Sequence, residues 1–99
     1  MHVVAHEPYA WFLLEEEGAL YLDVNCSYSA FGFPMLIRLN EDEARRYHEE
    51  GEGFVSGLAD DVQYRALTTY RERNINSRFG SAVTEAVTQW IALNPPQAE

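Results

Sequence analysis

Acidic side chains are concentrated in one stretch of the chain, where they could bind a basic partner. Residues 41–61 carry eight acidic residues against two arginines, a net charge of −6. The pattern there is helical, so several carboxylates share an outward face that could steer a basic protein surface into place. A solvated helix face is the alternative interpretation. The acids that we expect at a partner-binding surface are Glu41, Asp42, Glu49, Glu50 and Glu52.

Arginines are concentrated in the next stretch, where they could bind an anion. Residues 62–80 carry four arginines against Glu72, a net charge of +3. Arginines beside a helix N-terminus can hold a phosphate or a carboxylate. No glycine-rich phosphate loop accompanies them, and the segment could instead neutralise the acidic helices. The candidate anion-binding residues are Arg71, Arg73, Asn76, Ser77 and Arg78.

Two phenylalanines, Phe31 and Phe33, lie in a short segment that contains Gly32 and Pro34. If they are exposed, they are suited to anchor a protein interface, because aromatic side chains are enriched at binding hot spots. If they fold back, they cover the open end of the sheet, which avoids an exposed apolar patch. Both alternatives remain open from the sequence.

Catalytic and metal-binding patterns are weak. His2 and His6 are four residues apart in an extended segment, about 13 Å along a strand, which is too far to share one metal ion. Asp60 and Asp61 are neighbours in a helix and point about 100° apart, so their carboxylates do not converge. The sequence favours a protein that is not an enzyme, with no cofactor and no metal site. Cys26 lies on the apolar face of the stretch 19–28, which indicates a buried thiol.

Composition limits the partners. The chain has 99 residues, enough for one domain, and its sixteen acids and seven arginines give a net charge of −9. Nucleic acids and anionic membranes attract positive charge, so we expect neither as a partner. A single cysteine and an N-terminus without a basic, long apolar run predict a cytoplasmic protein.

The strands that must position these residues are centred on 19–28, where apolar and polar residues alternate with the period of a strand. A β-branched segment at 2–6 predicts an edge strand, and 35–39 predicts a further strand after a loop at 29–34. The run 9–15 is apolar on both sides, which predicts a strand covered on both faces or buried in an interface. For this reason a homodimer is one of the alternatives.

Helices follow the strands. Asn40 and Glu43 have the spacing of a capping box at the start of a first helix. Gly51 and Gly53 either end this helix or bend it, and a second helix is predicted from about Gly53 to about Arg65. A third helix is predicted after a cap at Asn76 or Ser77 and runs to Leu93. The tail 95–99 is predicted to be loose.

Strands that precede helices predict an α+β fold. We expect one domain over 1–99, with an antiparallel meander of three or four strands and three helices packed on one face in two layers. The function that fits best is a small interaction domain of the adaptor, inhibitor or immunity type. It would bind a protein partner, possibly a basic one, through the acidic helices and the aromatic loop. The alternative is a small-molecule or anion-binding domain that uses the arginine loop.

Overall fold

A computed structural model describes residues 1–7, 10–28, 31–65 and 70–93, without the side chains of 27, 28, 31–34, 71 and 76–78. The described part is an α+β fold in which an antiparallel sheet is followed by helices, as predicted. The elements are β1 His2–Glu7, β2 Trp11–Glu16, β3 Ala19–Tyr28, β4 Phe31–Arg38, α1 Glu41–Glu50, α2 Glu52–Tyr64, a 3₁₀ turn Arg71–Arg73 and α3 Asn76–Leu93.

The sheet is a meander with strand order β1-β2-β3-β4, and each strand pairs antiparallel with the next. The β2–β3 hairpin turns at Glu17 and Gly18, whose φ angles of 51° and 82° are both positive. Two successive positive φ angles are what a type I′ turn requires, and this turn matches the twist of the paired strands. This hairpin is part of the predicted antiparallel meander, which is confirmed.

The predicted loop at 29–34 was too long. The β3–β4 ladder already begins with Tyr28 opposite Phe31 and continues without a break to Tyr21 opposite Arg38. Pro34 lies inside β4, opposite Asn25. Proline is tolerated there because β4 is an edge strand of the described sheet, and the N–H that proline lacks is not required on the outer side.

One face of the sheet packs against α2. Alternate residues of β2, β3 and β4 point to this side, and four residues of α2 are buried against them. We call this the α2-side core; its strand members include Leu13, Leu22, Val24, Cys26, Met35 and Ile37, and its α2 members are Val55, Leu58, Ala59 and Val62.

The opposite face packs against α3, which differs from the prediction that all three helices lie on one side. Leu14, Tyr21 and Leu36 form a second core with Val83 and Ala86 of α3. Adjacent strand residues point to opposite faces, and the residues of β2 and β3 that point away from the α2-side core are also largely apolar. They therefore need this cover. The apolar run 11–14 is thus covered on both sides within one copy of the chain.

α1 is bound to the fold differently from α2 and α3, since none of its residues is buried. Its N-terminus has the predicted capping box: the Glu43 N–H donates to Asn40 Oδ1 at 2.8 Å, and the Asn40 N–H donates to Glu43 Oε1 at 2.9 Å. Gly51, with a φ of 75°, separates α1 from α2. Only Ala44 and Tyr47 pack against the α2-side core.

Some predictions fall where little is described. The tail 95–99 lies outside the described residues, and the extent of the domain over 1–99 stays a prediction. None of the described helices combines the length and the apolarity that a bilayer crossing requires.

Asp23 is the polar residue that α3 covers. It lies on the α3 side of the central strand β3, opposite Phe12 on one side and Leu36 on the other. Burial among these residues raises the pKa of the Asp23 carboxyl from 3.8 to about 6. The carboxylate is therefore held at neutral pH in a position that disfavours its charge.

We predict that Asp23→Asn stabilises the protein at neutral pH by roughly 2 kcal/mol. The folded state binds the Asp23 proton more tightly than the unfolded state, so this group's contribution is most favourable below pH 3.8 and is lost as pH rises to about 6. The gain from Asp23→Asn should therefore be present at pH 7 and should vanish towards acid pH. Urea unfolding across this range measures it.

The matched control is Asp60→Asn, on the exposed side of α2. A surface change of this kind is expected to alter the free energy of unfolding by less than about 0.5 kcal/mol. An Asp23→Asn variant that is less stable than the parent at pH 7 would contradict the account of this face.

Candidate functional site

The acidic surface consists of α1 and the first turn of α2, and its carboxylates differ in how they are engaged. The guanidinium of Arg45 pairs with Asp42, three residues earlier. Arg46 Nε donates to Glu50 Oε2 at 3.1 Å, four residues later. These two predicted partner-binding acids are therefore already neutralised on their own helix.

Three other predicted acids are free to meet a partner. Glu41, Glu49 and Glu52 are exposed, and within the described residues none of them forms an ion pair. The structure thus divides the five predicted acids into a free set, Glu41, Glu49 and Glu52, and a paired set, Asp42 and Glu50. The sequence could not predict this division, because it depends on which carboxylates Arg45 and Arg46 contact.

Arg73 fixes α1 to the rest of the fold. Its two terminal nitrogens donate to the two carboxylate oxygens of Glu43, at 3.0 and 2.6 Å, and Nη2 also donates to the Arg38 carbonyl at 2.9 Å. The hydrogen bonds to Glu43 raise the pKa of the Arg73 guanidinium, which stays charged. One side chain therefore links the 3₁₀ turn, β4 and α1, and Glu43 serves both this link and the capping box.

A cleft of about 510 Å³ opens between α1, α2 and Tyr70. The Tyr70 hydroxyl donates to Asp61 Oδ2 at 2.5 Å, and burial together with this hydrogen bond raises the pKa of Tyr70 to about 12. Arg46 lies across the Phe54 ring, with 4.8 Å from its guanidinium carbon to the ring centroid. The charged and polar groups that line this cleft have ion-pair or hydrogen-bond partners, and these contacts help to fix α1 against α2.

One residue of the predicted anion site, Arg73, already has hydrogen-bond partners. Arg73 is committed to Glu43 and to a backbone carbonyl, which is the mutual neutralisation that the charge pattern also allowed. The side chains of the other four candidates lie outside the description, so their part in an anion site stays a prediction: Arg71, Asn76, Ser77 and Arg78.

Two further candidates are placed only by their backbone. Phe31 and Phe33 lie in β4, opposite Tyr28 and Cys26, and their side chains are outside the description. Their predicted role as interface anchors is therefore untested. Cys26 is fully buried, and burial with the nearby Asp23 charge raises the pKa of its thiol to about 11, which disfavours the reactive thiolate.

Metal-ligating residues do not assemble in the described part of the chain. No group of three or more His, Cys, Asp or Glu side chains there has the arrangement of a metal site. His6 instead packs against Trp90 of α3, with 4.3 Å between the ring centroids.

The sequence did not identify Tyr70 and Asp61 as a pair, or Arg73 as the anchor of α1. Tyr70 lies in a polar, irregular segment without periodicity, so no pattern indicated that it is buried. The opposite net charges of 41–61 and 62–80 were the available signal for the contact between Arg73 and Glu43. That signal identifies two segments and not two residues.

Comparison of the chain with protein-family models, curated proteins and solved structures gave no match. Its function must therefore be argued from its own residues.

We predict that Arg73→Gln lowers the free energy of unfolding by about 1 to 2 kcal/mol, because it leaves the mostly buried Glu43 carboxylate without its charged partner. The Glu43 side chain is only 13% exposed, which limits how well water can replace Arg73. Hydrogen exchange should also show faster opening of α1. Urea unfolding and amide exchange measure the two effects.

Arg45→Gln is the matched control, because Arg45 also pairs with an acid but both side chains are more than half exposed. Exposed pairs contribute about 0 to 1 kcal/mol, so this variant should be close to the parent. Equal losses from Arg73→Gln and Arg45→Gln would show that Arg73 does not anchor α1.

Proposed function

We propose that the protein is a small interaction domain that binds a basic surface on a protein partner through the acidic surface of α1 and the start of α2. Binding of this kind requires no catalytic group and no cofactor. We further propose that it acts in the cytoplasm, which its single, buried cysteine suits.

The observation that carries the proposal is that α1 is ordered without being buried. No residue of α1 is fully buried, and only Ala44 and Tyr47 pack against the α2-side core, while a capping box and the Arg73–Glu43 contact fix the start of the helix. Hydrophobic burial therefore accounts for little of the position of this helix. A fixed helix whose carboxylates at Glu41 and Glu49 form no ion pair with the described residues is a preorganised surface, which lowers the entropy lost on binding.

The charge of the surface indicates the chemistry of the partner. The segment 41–61 has a net charge of −6, within a chain of net charge −9. A field of this sign accelerates association with a basic protein and repels acidic ones.

The test begins with capture of partners from native lysate at low salt, release at high salt and identification by mass spectrometry. The association rate of the captured basic protein is then measured with Glu49→Arg/Glu52→Arg, which reverses two free acids. We expect a fall of about tenfold in the association rate, with a weaker salt dependence, because charges at an interface act mainly on encounter.

The single variant Glu49→Arg reverses one exposed acid of the acidic surface, and its matched control is Glu85→Arg, which reverses one exposed acid on α3. Glu85→Arg should leave the association rate within about twofold of the parent, since exposed charges beyond a Debye length are screened. Equal effects of the α1–α2 and α3 variants would reduce the attraction to net charge alone, and no effect of either would remove the acidic surface as the contact.

The anion-binding alternative stays a prediction, because no described contact favours it. Arg73 already binds Glu43 and a carbonyl. A rise in melting temperature with phosphate, a nucleotide or a carboxylate, lost in Arg71→Gln/Arg78→Gln, would support it.

A further inference from the structure

The protein has one side that carries almost no charge. Residues 1–6 and 86–93 contain no Asp, Glu, Lys or Arg, although these residue types make up 23% of the chain. The two segments are neighbours in space, since the Trp90 ring of α3 lies 4.3 Å from the His6 ring of β1. We call the exposed part of residues 2–6 and the C-terminal end of α3 the uncharged surface, and Glu7, the last residue of β1, lies at its border.

Exposed apolar side chains are collected on this surface. Four large hydrophobic side chains are exposed in the described residues, and three of them belong to β1 or to the end of α3. They are Val4 at 39%, Ile91 at 45% and Leu93 at 82%. Single exposed apolar residues are common on protein surfaces, but a group of them on a highly charged protein indicates an interaction surface.

The two edge strands of the described sheet, β1 and β4, differ in whether their outer backbone groups have hydrogen-bond partners. On β4, the Leu36 N–H donates to Asn74 Oδ1 at 3.2 Å and the Leu36 carbonyl accepts from the Ile75 N–H at 2.8 Å. The Arg38 carbonyl accepts from Arg73, and Pro34 has no N–H. The outer side of β4 is thus occupied, which prevents pairing with another strand.

On β1, no residue in the described part of the chain pairs with the outer side. The strand is rich in β-branched and small residues, which favours extended pairing. Val4 is the extra residue of a bulge between Val3 and Ala5. A short, bulged edge cannot template long ladders, so it suits a closed contact with one further strand.

We infer that the uncharged surface binds a second copy of the same chain, through antiparallel pairing of β1 with β1 about a two-fold axis. Copies with a net charge of −9 repel each other, so they can approach most readily where acids are few. The pairing is self-complementary, because it can place His2 of each copy opposite Glu7 of the other. It also brings the two α3 ends together across the axis, which covers Ile91 and Leu93.

This inference is independent of the proposed partner, because it uses a different surface and has the opposite salt dependence. Added salt screens the repulsion between two acidic copies and should strengthen the dimer. The same salt should weaken a complex between the acidic surface and a basic protein.

Sedimentation velocity of the full chain over a concentration series is the test. We expect a reversible rise from the protomer mass of 11.3 kDa to twice that mass. Val4→Lys and Ile91→Lys should each raise the dissociation constant of the dimer by about tenfold or more, because each brings like charges together at the axis. Both changes also reduce the magnitude of the net negative charge, so weaker self-association cannot come from greater general repulsion.

Tyr64→Lys is the matched control, since it makes the same charge change at the fourth exposed hydrophobic side chain, at the end of α2. It should leave the dimer unchanged or slightly stronger. All three positions are already exposed, and thermal unfolding will show whether each variant is folded; if one is not, the other β1 or α3 variant decides. A monomer at every concentration overturns the inference, as does a dimer that Val4→Lys and Ile91→Lys leave intact.

Discussion

The central sheet is apolar on both faces, and the arrangement of the rest of the chain depends on this constraint. Successive residues of β2 point to opposite sides, so the run 11–14 supplies two cores at once. A single helical layer would leave one of these faces in water. α2 covers one face and α3 covers the other, which places the sheet in the middle of the fold.

This division leaves two parts of the molecule at the margins of the cores, and these are the parts to which we assign interactions. α1 is not needed to cover the sheet and is fixed by polar contacts through Arg73. β1 contributes one edge of the sheet and lies beside the end of α3. The acidic residues are concentrated at the first of these places, while the second has almost none. The two proposed interactions therefore require partners of different chemistry.

The sequence predicts much of the fold, because local signals specify its elements. Alternation at 19–28, the capping box at Asn40 and the break at Gly51 each have a local physical cause, and each is present in the structure. The alternation at 19–28 places Asp23 and Asn25 on the polar face of β3, which gives no sign that a helix packs on that side. Tyr21 and Leu36 provide enough apolar surface to bind a helix there, and Asp23 is desolvated as a result.

The candidate site is predictable only as a segment of charge. The acids of 41–61 are evident in the sequence, but their pairing is decided by which arginine reaches which carboxylate in three dimensions. The loop predicted before β4 was too long, because the effect of Pro34 depends on its place in the sheet. Pro34 suggests a break, yet at the outer edge of a sheet it removes no ladder hydrogen bond.

Amide chemical-shift mapping of the isotope-labelled protein with its salt-released partner tests the central claim most directly, because it reports every contact surface at once. The account predicts that shifts concentrate on α1 and the first turn of α2, with residues 1–6 and 86–93 unaffected by the partner. Shifts confined to β1 and the end of α3, with α1 unchanged, would contradict it.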